Sequence, residues 1–373
     1  MTPGVGPVEA GPTPHFSKGG AVIPRMAAGV LAVSVAFAVA PASADPVRDG
    51  QFWIGQLGLE RAWQLSKGTG VTIGLVDTGV NADLPDLTDA VLPGREFPEL
   101  GAGPRDEQGH GTEMALLIAG RGHNDSDGTL GVAPEAKILP AKLNGGGTDV
   151  NSAIRWVVDH GATVVNLSLG SGTAHTADYD DGLRYAQEHD VVVVAAAGNS
   201  RTDRGVTSPA DRPGVLAVSA VDRTGAFRPE VSVQGPEVAL AAPGVDLTTA
   251  NSPRASRGTS EAAALVSGVA ALVRARFPKL TAANVVARLT GTAARPGGRG
   301  RDEQYGFGVV DPVGALTADV PPVDRNPLGT LVERSPTTVE ATGRPVWPWV
   351  AGGLVALAAA LGTIVFLRRQ SAK

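Results

Sequence analysis

Five short runs of small and β-branched apolar residues, each long enough for one strand, dominate the middle of the chain. They are VTIGLVD, AKILPAKL, ATVVNLSL, VVVVAAAG and VLAVSAV, at 71–77, 136–143, 162–169, 191–198 and 215–221. In the stretches between them, VNSAIRWVVDHG and ADYDDGLRYAQEHD, apolar residues recur at helical spacing. Apolar strands that alternate with helices are typical of a parallel sheet with helices on both faces. The sequence therefore predicts a three-layer α/β fold with a mostly parallel central sheet.

Charge and composition exclude several classes of function. The 373 residues carry a net charge of −5, which argues against a nucleic-acid partner because such binding needs clustered Lys and Arg. The chain has no cysteine, so disulfides, thiolate catalysis and Cys-ligated metals are excluded. Its six histidines form no close metal-binding pair, and HNDSDGT (123–129) is interpreted as a solvated turn rather than a calcium loop. We expect neither a cofactor nor a metal.

The N-terminal 44 residues have the pattern of a secretory signal peptide. Lys18 and Arg25 precede the uncharged run 26–40, and the small residues Ala-Ser-Ala at 42–44 offer a cleavage site. An N-terminal membrane anchor is the alternative interpretation. Residues 45–316 then form one compact domain.

The C-terminal region predicts a membrane anchor. Residues 349–367 carry no charge and, at about 1.5 Å per residue, nearly cross a hydrocarbon layer of roughly 30 Å. Tryptophans at 347 and 349 flank one end and arginines at 368 and 369 the other, as the positive-inside tendency requires. We therefore expect a transmembrane helix at 347–368, a cytoplasmic tail at 369–373 and a proline-rich linker at 317–346. A buried core helix is the alternative.

Three polar residues stand at the ends of predicted elements. Asp77 closes GLVDTGV, His110 lies in DEQGHGTEMALLIAG, and Ser260 opens the last helix. The chain order Asp, His, Ser is one of the known orders of a hydrolytic triad. Asn199 in AAAGNS offers an amide donor for an oxyanion, together with the backbone N–H of Ser260. Taken singly, these residues also fit a turn aspartate, a loop histidine and a helix N-cap.

Several separated motifs together resemble the subtilisin-like serine proteases. They are GTGVTIGLVDTGV, GHGTEMA, GVAPEAKILPAKL, AIRWVVDHGATVVNLSLG, VVVVAAAGNS and GTSEAAALVSGVAALV, in that order. The resemblance implies a peptidase fold for 45–316, a Ser260–His110–Asp77 triad and Asn199 as the oxyanion residue. It further implies that one segment pairs with substrate backbone and that another lines the pocket for the residue before the cut. The former is Ser168, Leu169 and Gly170, and the latter is Ala196, Ala197 and Gly198.

The flanking segments resemble one branch, the mycosins, which are membrane-anchored proteases of actinobacterial type VII secretion systems. DGQFWIGQLGLERAW (49–63) is similar to the short segment that mycosins carry before the domain. This resemblance implies a polypeptide substrate, membrane components of type VII secretion as partners, and a catalytic domain held outside the cytoplasmic membrane.

Two departures from the family pattern leave a second function open. Glu261 follows the nucleophile where the family has a bulky apolar residue, and Ala264 replaces a common proline. A catalytically inactive structural subunit of a membrane secretion complex is therefore the alternative to an active endopeptidase. If the enzyme is active, Glu261 is expected either to disfavour acidic residues after the scissile bond or to raise the pKa of His110.

Overall fold

The computed structural model describes residues 19–20, 45–124, 127–144, 149–169, 179–252, 254–295, 298 and 300–331. The chain divides into two compact units, Met1–Ser43 and Ala44–Lys373, and every element below belongs to the second. The predicted signal peptide (1–44) lies outside the described residues except for Gly19 and Gly20, and the predicted transmembrane helix (347–368) and tail (369–373) lie wholly outside them. No helix in the described part of the chain has the length and apolarity to cross a bilayer.

Seven of the strands form one sheet that is parallel throughout. The strands are β1 Thr72–Asp77, β2 Arg95–Phe97, β3 Arg121–His123, β4 Asp127–Leu130, β5 Lys137–Leu143, β6 Val164–Leu167, β7 Val192–Ala196, β8 Leu216–Val221, β9 Val238–Pro243, β10 Val245–Leu247 and β11 Ser256–Arg257. Their order in the sheet is β2-β5-β1-β6-β7-β8-β9, and every neighbouring pair is parallel. Two antiparallel pairs, β3 with β4 and β10 with β11, lie outside it.

Helices cover both faces of this sheet. They are α1 Pro46–Asp49, α2 Phe52–Gln56, α3 Leu59–Trp63, α4 His110–Ala119, α5 Val150–Asp159, α6 Asp180–Glu188, α7 Thr259–Arg276, α8 Ala282–Thr292 and α9 Pro312–Thr317, with a 3₁₀ turn at Pro85–Leu87. Along β7, Val192 and Val194 join the core that contains α4 and α7, whereas Val193 and Ala195 join the core that contains α5 and α6. This alternation is the period of a strand buried on both faces, and it confirms the predicted three-layer fold.

Helix α7 forms the centre of one helical layer. It packs on β6, β7, β8 and β9, and every residue from Glu261 to Arg274 is buried. A helix that is apolar all round requires this kind of enclosure. Gly268 permits the tightest approach, since a Cβ there would lie 2.5 Å from Cβ of Val132. The first turn of α7 lies near the carboxyl edge of the sheet, where functional residues of parallel sheets gather.

The segment 45–63, which contains α1 to α3, belongs to the domain. Gln51 exchanges two hydrogen bonds of 3.0 Å with the backbone of Leu130, and Arg48 donates to the carbonyl oxygens of Asp127 and Gly128. Trp53 is fully buried. The segment therefore completes the core on the side of the β3–β4 hairpin.

Residues 318–331, here named the C-terminal strap, run across the domain surface although they lie in the stretch predicted as a linker. Hydrogen bonds join Val323 to Asn284 of α8, Leu328 to Gly214, and Leu331 to Gln187 of α6. Leu328 and Leu331 also pack against the two cores. The strap therefore extends the ordered chain beyond α9.

Candidate active site

Asp77 and His110 meet in a direct hydrogen bond. Asp77 is the last residue of β1 and its side chain is 1% exposed, while His110 is the first residue of α4. His110 Nδ1 lies 2.7 Å from Asp77 Oδ1. Because an ionised carboxylate only accepts hydrogen bonds, Nδ1 carries the proton and Nε2 is left to exchange one with a substrate.

A glycine makes this approach possible. A Cβ on Gly111 would lie 2.2 Å from the carbonyl oxygen of Gly79 and 3.2 Å from Asp77 Oδ1. A larger residue at this position would push the first turn of α4 away from the end of β1. The glycine after the histidine thus sets the distance between the side chains of Asp77 and His110.

A buried carboxylate, Asp106, fixes the turn that precedes His110. Its two oxygens accept five hydrogen bonds, from Thr78 Oγ1, Gln108 N, Gly109 N, Thr112 N and Thr112 Oγ1, all between 2.6 and 2.9 Å. Burial favours the neutral acid, but the hydrogen bonds outweigh it and lower the pKa of Asp106. Asp106 therefore ties the end of β1 to the start of α4.

Ser260 and Asn199 occupy the other half of the site. Ser260 lies in the first turn of α7, and Asn199 follows β7. Asn199 Oδ1 accepts a hydrogen bond of 2.9 Å from the backbone N–H of Thr259. Since a backbone N–H can donate only to the amide oxygen, this contact fixes the amide and assigns its Nδ2 as the group that can donate to an oxyanion.

Helix α4, which begins at His110, packs against α7, whose first turn contains Ser260, and Glu261 in that turn lies close enough to His110 to affect its charge. Among the described residues, no hydrogen bond joins the Ser260 hydroxyl to the His110 ring. In structures without substrate such hydrogen bonds are often long and tighten when substrate binds.

Two buried carboxylates, Glu113 and Glu261, act on His110. Glu113 is 9% exposed and Glu261 is 6% exposed. Burial raises the pKa of both. Burial opposes protonation of His110, but Asp77, with smaller contributions from Glu261 and Glu113, raises its pKa to about 9. The direction expected for Glu261 from the sequence is therefore present in the structure.

The residues predicted to bind substrate lie beside these groups. Ser168 is buried, and its Oγ lies 2.9 Å from Asn166 Oδ1 and 3.1 Å from the carbonyl oxygen of Ser260. Leu169 is half-buried, and Gly170 lies outside the described residues. Ala196, Ala197 and Gly198 are buried at the end of β7, and the N–H of Gly198 donates to Thr259 Oγ1 at 3.1 Å. These residues thus support the first turn of α7.

Sequence reasoning missed the roles of Asp106, Glu113 and Ser256. Glu113 had a readable signal: it is the one charged residue in the run HGTEMALLIA, and it follows His110 by three positions, which places both on the same helix face. Asp106 lies in a loop and Ser256 in the two-residue strand β11, neither of which has a readable period, so only the folded contacts reveal them.

The arrangement is suited to acyl transfer. It combines a serine at a helix N-terminus, an imidazole held by a carboxylate, and an amide oriented toward the same helix start. No group of three or more His, Asp or Glu side chains that could hold a metal occurs within the described ranges.

Comparisons with known proteins place the chain in a family. The subtilase family model matches residues 68–308. Mycosin-1 of Mycobacterium tuberculosis is 34% identical, over 84% of this chain and 83% of its own length. The chain is also 34% identical to fervidolysin of Fervidobacterium pennivorans over 70% of its residues, but it spans only 43% of that protein.

Solved structures agree with this relationship. The crystal structure of MycP1 with its N-terminal propeptide removed has a TM-score of 0.65 and 31% identity, and the match covers 73% of this chain and 98% of that one. A chain of an intact ESX-5 inner membrane complex has a TM-score of 0.62 and 31% identity, over 84% and 89% of the two chains. The motifs, the parallel sheet and the Asp77–His110 contact fit the same assignment. This chain belongs to the subtilase family of peptidases and is similar to the mycosins of type VII secretion.

Proposed function

We propose that the chain is a serine endopeptidase that cleaves secreted proteins through an acyl-enzyme. The observation that carries this proposal is the 2.7 Å hydrogen bond between His110 Nδ1 and Asp77 Oδ1, next to the helix start that bears Ser260. Family membership supports it, since all four positions of the expected catalytic set hold the required residue types.

In the proposed mechanism each group has one task. Ser260 Oγ attacks the carbonyl carbon of the scissile peptide while His110 Nε2 takes its proton. Asn199 Nδ2 and the N–H of Ser260 stabilise the negative oxygen that forms. His110 then gives the proton to the leaving amine as the C–N bond breaks. Water, deprotonated by His110, releases the acyl group and restores Ser260, while Asp77 holds the ring and stabilises its charged form throughout.

The proposed place of action is outside the cytoplasmic membrane, in association with type VII secretion components. The similarity to mycosin-1 and to a chain of the ESX-5 inner membrane complex supports this location. In this proposal residues 1–44 are a signal peptide, and the helix at 347–368 anchors the domain through a linker. A fusion of alkaline phosphatase to the C-terminus tests the orientation: an inactive phosphatase is expected, and an active one would contradict a cytoplasmic tail.

Labelling with a fluorophosphonate tests the chemistry. The full-length protein should react covalently at Ser260, and the Ser260→Ala variant should not. Ser66→Ala is the matched control, because that hydroxyl donates to the carbonyl oxygen of Leu272, far along α7 from Ser260. Folded protein that takes up no label would contradict an active peptidase and favour the structural subunit.

A further inference from the structure

A polar cleft of about 490 Å³ opens beside His110. We name it the His110 cleft; its walls include Asn81, Glu107, His110, Glu113 and Asn251. The described residues that line it include no lysine or arginine. The carboxylates of the cleft therefore have no basic side chain beside them in the cleft walls.

Glu113 is the unusual group in this wall. It is more than nine-tenths buried, and its Oε1 has no hydrogen-bond partner among the described residues. The hydroxyl of the neighbouring Ser256 donates to the carbonyl oxygen of Leu247. A buried acceptor without a donor destabilises the fold, and more so when it is charged. The site thus lacks a donor at a defined point beside the catalytic histidine.

Two more acceptors face the same space. Asn81 Oδ1 is buried and unpartnered in the described structure. Asn251 uses its Nδ2 to donate to the carbonyl oxygen of Gly109 at 2.8 Å, which leaves its Oδ1 as an acceptor. The cleft therefore presents three acceptors, one of them a carboxyl group, to whatever enters it.

The other acidic groups add negative potential but do not complete a metal site. Both oxygens of Asp106 already accept hydrogen bonds from the chain. Glu107, at the rim, lies 3.5 Å from Lys142 Nζ. Calcium takes six to eight oxygen ligands, and no cluster that could hold a metal occurs in the described part of the chain. A cationic side chain with several N–H donors fits these acceptors better.

Among the residues that line the His110 cleft, only His110 can carry a positive charge, and it does so only while its ring is protonated. To act as a base it must be neutral, and Glu113 and Glu261 then lose their nearby positive charge. A cation that enters with the substrate would replace that charge. Because His110 hands its proton to the leaving amine, a cleft walled by His110 adjoins the leaving-group side of the scissile bond.

A second cleft, of about 380 Å³, shows the opposite charge. It lies beside Asn199 and is lined by Arg201, Arg257 and Glu230, among others. The two clefts flank the proposed catalytic groups, so a basic substrate side chain is favoured in the His110 cleft and disfavoured beside Asn199.

We propose that the His110 cleft binds a basic side chain, Arg or Lys, of the polypeptide substrate on the leaving-group side of the cut, with Glu113 as its carboxylate partner. The proposal rests on the proposed function and adds the substrate class of the site.

Transfer of the acyl group from the enzyme to an added amine tests binding on the leaving-group side of the site, and it requires no known natural substrate. The full-length enzyme is acylated by a p-nitrophenyl ester of an N-acetylated amino acid, and the acyl-enzyme is offered argininamide or its uncharged analogue citrullinamide. The amine nitrogen attacks the acyl carbonyl carbon, the bond to Ser260 Oγ breaks, and Oγ recovers a proton through His110. The ratio of acyl-argininamide to acyl-citrullinamide reports the preference for positive charge.

Wild-type enzyme should favour argininamide about ten-fold or more, as expected for one charge-assisted hydrogen bond. The ratio should fall close to one in Glu113→Gln and stay high in the matched control Glu230→Gln, which alters the other cleft. Glu113→Asp, which withdraws the charge by one methylene, should give an intermediate ratio and serves if the Gln variant does not fold.

Equal use of the two amines by wild-type enzyme would overturn the proposal, and so would an unchanged ratio in a folded Glu113 variant. These results differ from failure of the proposed function, in which the ester does not acylate Ser260 and the fluorophosphonate does not phosphonylate it.

Discussion

The Asp77–His110 half of the active centre is held by ionic hydrogen bonds, whereas the Ser260–Asn199 half is held by hydroxyls, an amide and a buried helix. Asp106 alone accepts five hydrogen bonds in the first half. In the second, neutral contacts such as Asn199 Oδ1 with Thr259 N–H position groups on the first turn of α7. We infer that changes to the charged groups around His110 alter pH dependence, and that changes to the neutral contacts of the second half alter rate at every pH.

The largest effect is expected from Asp77→Asn, which keeps the shape of the side chain but removes its charge. An amide that donates to Nδ1 selects the wrong tautomer of His110, and kcat should fall by about 10⁴. The measurement is ester hydrolysis and the rate of fluorophosphonate labelling. Asp83→Asn, at an exposed carboxylate that pairs with Arg105, is the control and should match wild type. A loss below ten-fold would contradict the role of Asp77.

Next in size is Asn199→Ala in the neutral half. Loss of one oxyanion donor should lower kcat by about 10² to 10³. The pH at which activity is half-maximal should stay where it is in wild type, because no charge has changed. A moved pH profile would show that the two halves are not separable in the way proposed.

Asp106→Asn should destabilise the fold by about 3 kcal/mol, since an amide NH₂ would face the chain's own N–H donors. Urea unfolding measures this loss. The lowered pKa of Asp106 means that its carboxylate stabilises the fold above its ordinary value of 3.8 and that this contribution is lost as pH falls through the folded value. The difference between variant and wild type should therefore narrow in acid, and a difference that widened there would contradict this assignment.

The smallest effect is expected from Glu261→Gln. With the pKa of His110 at about 9, kcat/KM should rise with pH up to that region because only the neutral ring accepts the serine proton. Removing a nearby negative charge destabilises the imidazolium, so this limb should move to lower pH. Glu230→Gln should leave it in place. An unchanged or upward-shifted limb in Glu261→Gln would refute the coupling.

The sequence was most informative where a pattern repeats. The five apolar runs predicted strands that the structure places at β1, β5, β6, β7 and β8, and the helical spacing predicted α5 and α6. The edge strands β2 and β9 were not foreseen as strands, because a three-residue strand has no readable period and VALAAP lacks flanking strand signals. Periodicity reports burial on a regular element, so it recovers the centre of the sheet better than its margins.

The candidate active site was likewise predicted only in part from the sequence. Motif order sufficed to nominate Asp77, His110, Asn199 and Ser260, and Glu261 stood out as a departure from the family pattern. The groups that tune them were not visible in the same way: Glu113 on α4 and Glu261 on α7 both raise the pKa of His110, and Asp106 links the end of β1 to α4. Contacts of this kind depend on how helices and strands pack together, and a single sequence contains no local pattern that predicts them.

The C-terminal strap determines how tension would enter this domain. Any pull from the chain beyond Leu331 reaches the hydrogen bond to Gln187 first, then those at Gly214 and Asn284, before it loads α9. A force applied beyond Leu331 would therefore act on the strap before it acts on α9 and the domain core.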